Sequence, residues 1–135
     1  MNIRNKAFLL IPAFWASIFD IAVTIYHQPA TYWSGNLKHY NEGNPIGAFF
    51  MSNHVYGLFL ICGIWLVLIY IIGKSLKGKA QKIFLLFVVI AHSFGASTWI
   101  SSRYGFWFAM LLIAFNSSLY IFINENSQTP TKIAH

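Results

Sequence analysis

Residues 55–82 read VYGLFLICGIWLVLIYIIGKSLKGKAQK: from 55 to 73 there is no charged side chain, and then lysines follow at 74, 77, 79 and 82. A bilayer core takes about 20 mostly apolar residues per helix, and a lone strand in lipid would leave its backbone groups unpaired. A helix of this length that ends in a lysine cluster has the signature of a membrane span reaching the cytoplasmic face. The stretch therefore predicts an all-α membrane protein, and the neighbouring sequence extends that reading.

Three more stretches qualify, giving helices at about 7–26, 55–73, 82–101 and 105–123. The whole chain is 57% apolar and 9% charged, against about a quarter charged in an ordinary soluble domain. Too little charge remains to clothe a soluble core. The expected architecture is a polytopic four-transmembrane-helix bundle over residues 1–123, with 124–135 as a flexible cytoplasmic tail. No internal repeat, low-complexity tract or second domain is visible.

An excess of Lys and Arg over Asp and Glu, nine against three, is also what a nucleic-acid binder shows, but the positions argue against that. If four segments cross, Arg4, Lys6, the lysines at 74, 77, 79 and 82, and Lys132 share one side, while Lys38 and Arg103 lie on the other. The positive-inside rule then puts both termini in the cytoplasm and residues 27–53 outside, in the periplasm of a Gram-negative cell. Localisation in a bacterial inner membrane follows, with lipids as partners and no nucleic acid. A cleaved signal peptide competes for the first segment; Asp20 and the lack of a small-x-small site near its end speak against it. Cys62, the single cysteine, has no internal disulfide partner and reads as a small buried hydrophobe.

Polar residues inside these segments are costly, about 2.5–3.5 kcal/mol for an Asp at a helix centre, so they point to a partner or to water. Asp20, Thr24 and His27 fall on one helical face, and His92 shares a face with Trp99 and Arg103 as the third segment climbs. Asn116 sits near mid-depth in the fourth. Gly95-Ala96-Ser97 reads as a small-residue contact patch. Between the first two segments, Glu42-Gly43-Asn44-Pro45 suits a defined turn, with Asn44 as a helix cap and Pro45 at the first helical position. The topology brings Asp20, Glu42, His54, His92 and Arg103 to the outer half of the bundle, where His27 and His39 are further neighbours.

Such a group supports two chemistries. Asp20, Glu42, His54 and His92 form the ligand type of a divalent Zn, Mn or Fe site, although no H-E-x-x-H signature is present. Without metal, the catalytic set is Asp20, Glu42 and His92, with proton transfer between carboxyl and imidazole groups. Thr24, Asn44, Arg103 and Asn116 are then the substrate-binding set, and Arg103 suits a phosphate or carboxylate head group. No G-x-S-x-G context supports a serine nucleophile.

Asp20 and Thr24 followed by Glu42-Gly43-Asn44-Pro45 resemble the pattern of small bacterial four-helix membrane proteins of unknown function, in which Asp-x-x-x-Thr precedes Glu-x-Asn-Pro. The resemblance covers about the first 50 residues. It implies a shared polar site at Asp20, Thr24, Glu42, Asn44 and Pro45, and supplies no activity. The expectation is a small inner-membrane protein whose Asp/Glu/His site opens to the periplasm, acting by acid–base or metal-assisted catalysis on a lipid or lipid-linked substrate. The alternative is a non-catalytic small-molecule binder, or an accessory subunit of a larger membrane complex or homo-oligomer.

Overall fold

The computed structural model describes residues 7–127, and among them there is no strand. Residues 7 and 8 are helical, and after them come, in order, α1 Ile11–His27, α2 Ala30–Trp33, α3 Pro45–Asn53, α4 Gly57–Ser75, α5 Gly78–Tyr104 and α6 Phe106–Asn126, with a 3₁₀ turn at Leu37–His39. Helices α4, α5 and α6 are long and apolar enough to cross a membrane, while α1 is a shorter apolar helix of 17 residues. The chain is thus a helical bundle of the kind multi-pass membrane proteins form. Only 22% of the apolar window of α4, and of α6, is buried inside the protein, so most of their apolar surface faces outward, as a lipid-embedded helix requires.

Each boundary has a local cause. The first span was expected from residue 7, but Pro12 lacks the N–H that would continue the ladder, and residues 9 and 10 form a turn before α1 begins. At the other end Gln28 precedes Pro29, which disfavours the helical conformation; Gln28 adopts ψ 141° and α1 stops. Helix α5 has 27 residues, about 40 Å at roughly 1.5 Å per residue, which exceeds a bilayer core of about 30 Å. A single residue, Gly105 at φ +101°, joins α5 to α6; a side chain is strained at that angle. The expected tail begins later than residue 124, because α6 continues to Asn126; positions 128–135 lie outside the described residues, as do Arg4 and Lys6.

Helix α1 packs most extensively on α5, and α5 on α6, while α4 touches α1 and α5 more sparingly. At the lysine-bearing end Leu9, Leu10, Ala13, Ile69, Leu85, Val88, Val89 and Tyr120 form the main core. Gly73 admits Leu10 and Leu85 against α4, its carbonyl accepts from Gln81 Nε2 at 2.7 Å, and Tyr120 donates its hydroxyl to the Lys82 carbonyl at 2.8 Å.

The opposite end carries a folded cap rather than a bare loop. The stretch 27–53 is packed. Tyr32 is fully buried with Met51 and Leu58, and its hydroxyl donates to the Val55 carbonyl at 2.8 Å. Gln28 and Asn41 clamp the segment reciprocally: Gln28 Nε2 donates to the Asn41 carbonyl, and Asn41 N–H donates to Gln28 Oε1 at 2.9 Å. Gly57 lets α4 start directly against the Phe50 carbonyl, which turns α3 sharply into α4.

Candidate functional site

Beneath this cap lies a cavity of about 920 Å³. Its floor is the α1 face Asp20–Ile21–Thr24, its roof the turn from Asn41 to Gly47, and its two walls are a stripe of α4 (Leu58, Ile61, Cys62, Trp65) and a stripe of α5 running from Phe87 to Arg103. The spacings within each stripe, three or four residues apart, keep these side chains on one face. Phe87 and Phe94 line the cavity yet are 58% and 70% exposed, so along its α5 edge the cavity is continuous with the apolar outer surface.

Each carboxylate is seated on a glycine. A Cβ at Gly95 would lie 2.8 and 2.9 Å from the two Asp20 oxygens, and one at Gly47 would lie 2.9 Å from Glu42 Cγ. Both acids therefore occupy space that any other residue would fill. Asp20 and His92 are joined at 2.8 Å between Oδ2 and Nδ1, and are 18% and 14% exposed. The second imidazole nitrogen, Nε2, accepts the indole N–H of Trp65 at 2.5 Å.

Glu42 is held by its own turn. Its Oε1 accepts the Asn44 N–H at 2.7 Å, and Asn44 Oδ1 accepts the Ile46 N–H at 3.0 Å, capping α3 with Pro45 in the first turn. The capping role and the cavity role of this turn coexist: Asn44 caps, and the Glu42 carboxyl reaches over Gly47 into the cavity. Burial pushes the Glu42 carboxyl above the ordinary range, aided by the negative charge of Asp20, while the Asn44 and Gly43 backbone N–H groups hold the rise back.

The structure brings together Asp20, Glu42, His92, Thr24, Asn44 and Arg103. It leaves out His54 and Asn116. His54 caps the end of α3, exposed, with Nδ1 accepting the Tyr56 N–H at 3.1 Å, and it lies outside the cavity lining. Asn116 faces inward, 2% exposed, accepting from Trp15 Nε1 at 3.1 Å and donating to Ser93 Oγ at 2.8 Å; it ties α1, α5 and α6 together and lies outside the cavity lining. The ligand set Asp20, Glu42, His54 and His92 does not converge: His54 stands apart and both nitrogens of His92 are engaged. Among the described residues, no three His, Cys, Asp or Glu side chains are grouped closely enough to hold a metal ion.

Two further histidines are placed outside the cavity. His27 donates from Nδ1 to the Val23 carbonyl at 2.8 Å and stacks on Trp99, and His39 lies on the exposed cap near Thr31. The sequence reading missed Trp65, Gly47 and the cavity wall at Cys62. Trp65 and Cys62 sit in an unbroken apolar run that offers no contrast. Gly47 follows Pro45 by two positions, and nothing in the turn marks it.

Comparison with known proteins matches no protein family, no curated protein and no solved structure.

Proposed function

We propose that the chain is an inner-membrane protein that binds a membrane-borne amphiphile with its head group in the Asp20–Glu42–Arg103 cavity, and performs acid–base chemistry on it. The observation carrying this reading is a pair of carboxylates in one cavity that is continuous with an apolar flank between α4 and α5. Such an opening suits a substrate arriving sideways from lipid, whose chain lies along Phe87 and Phe94. Arg103 has no carboxylate partner among the described residues and suits a phosphate or carboxylate on the head group.

The two acids differ in setting, which is how one site assigns a donor and an acceptor. Glu42, with its raised pKa, supplies a proton to the substrate, and Asp20, held by His92, takes one. The charge bias of the sequence supports an orientation with the cap on the periplasmic side and the lysines at 74–82 in the cytoplasm. The resemblance to the small bacterial four-helix proteins supports the same site, since four of its five pattern residues line the cavity and the fifth, Pro45, begins α3.

The test is conversion of lipids. Purified protein in nanodiscs made from a bacterial lipid extract is incubated and the lipids are followed by mass spectrometry, beside D20N and E42Q. A lipid species consumed by the native protein and spared by both variants supports the reading. If all three leave every lipid unchanged, but R103A alone loses a co-purifying lipid, the protein is a binder without chemistry. Orientation is tested separately in a C62A background: K38C should react with an impermeant thiol reagent from outside and K79C should not.

A further inference from the structure

The bond from Trp65 decides what His92 can do. An indole N–H only donates, so His92 Nε2 must present a lone pair to it. A neutral imidazole carries one N–H and one lone pair, which leaves the hydrogen on Nδ1, where it is donated to Asp20 Oδ2 at 2.8 Å. A hydrogen on Nε2 would face the indole N–H, donor against donor. While Trp65 stays in place, neither imidazole nitrogen has a free site to offer a substrate.

Asp20 is different. Its Oδ2 is taken by His92, its Oδ1 has no hydrogen bond within the described residues, and the carboxylate lines the cavity. We propose that Trp65 is a positioning residue that locks His92 in the Nδ1–H tautomer, so that Asp20 presents Oδ1 to the substrate as proton acceptor and His92 transfers no proton itself. The role given to Asp20 rests on the proposed acid–base reading; the tautomer lock does not. Trp65 comes from α4, Asp20 from α1 and His92 from α5, so the hydrogen-bonded chain that fixes the tautomer crosses three helices. The other titratable or charged groups sharing the cavity with His92 are Cys62 on α4, Glu42 in the roof and Arg103 on α5.

The experiment uses the full chain in nanodiscs with ¹⁵N-labelled histidine, without substrate, and reads the tautomer from long-range ¹H–¹⁵N correlations. The His92 signals are assigned by their loss in H92Q. The native protein should show a single tautomer with hydrogen on Nδ1, D20A should keep it because the indole still calls for a lone pair on Nε2, and W65F/D20A, with neither partner left, should lose it to a mixture or to the Nε2–H form. If W65F/D20A does not fold, D20A decides alone, because retention of Nδ1–H with no acceptor at position 20 leaves Trp65 as its cause. A native Nε2–H tautomer, the Nδ1–H form kept in W65F/D20A, or its loss in D20A overturns the proposal. A lock confirmed in the absence of lipid turnover would overturn only the acid–base reading.

Discussion

Replacing Gly95 by Ala should be destabilising where the same change at Gly63 is stabilising. Both glycines lie inside long helices, where Ala is favoured over Gly by about 0.8–1 kcal/mol. At Gly63 an added Cβ meets nothing within 4 Å, so G63A measures that preference in this host. At Gly95 the Cβ would sit 2.8 and 2.9 Å from the Asp20 oxygens, whereas ordinary contact begins at 3.4 Å. The carboxylate must retreat by several tenths of an ångström, which strains the 2.8 Å bond to His92. Overpacking of this kind costs about 1–3 kcal/mol. G95A should therefore fall about 1–3 kcal/mol below G63A in unfolding free energy, read by circular dichroism during denaturation in mixed micelles. In a D20A background the penalty should vanish, since the atoms it clashes with are gone and the unpaired His92 is common to both members of the comparison. Equal stabilities for G95A and G63A with Asp20 present, or a coupling to position 20 below about 0.5 kcal/mol, would refute the idea that this glycine exists to seat the carboxylate.

Glu42 should leave a mark on the pH dependence of stability. Its folded-state pKa is raised, so in the window above the ordinary 4.5 the folded chain holds a proton that the unfolded chain has released; stability should fall as pH rises through that window, and E42Q should lack this component of the slope. Tyr32→Phe removes the hydroxyl bonds to the Val55 and His54 carbonyls and should lower unfolding free energy by about 0.5–1.5 kcal/mol in thermal or denaturant melts. Asn116→Ala should cost about 1–3 kcal/mol by orphaning the buried bonds to Trp15 and Ser93, with lipid retention per folded molecule unchanged in native mass spectrometry; loss of lipid at full stability would return Asn116 to the site.

The four apolar segments were legible because hydropathy and lysine placement are properties of the chain alone. What they give is depth, and depth brought Asp20, Glu42, His92 and Arg103 to the right level. Azimuth is set by packing, and there the sequence was silent. His54 stands at the correct end but caps α3 facing solvent, and Asn116 stands at a polar depth but turns toward Trp15 and Ser93. Helix α3 escaped notice for a related reason: PIGAFFMSN is too short to span and has no clear period, although the Asn44-Pro45 start was visible. Trp65 was illegible because an indole among Ile, Leu and Val looks like one more apolar residue until its N–H is seen facing an imidazole.

The paired glycine seats extend what counts as the fingerprint of this cavity. The acids alone are the weaker part of it, since an Asp or Glu at the same position can point anywhere. Joined to the residues that make room for them, they read Asp20 with Glu-x-Asn-Pro-x-Gly over 42–47 and His-x-x-Gly over 92–95. A related chain that keeps both acids but carries Ala at either glycine must hold its carboxylates in another pose. Ancestry and ligand preference can part company at those two positions, and surveys of natural variation should be scored there before the acids are compared.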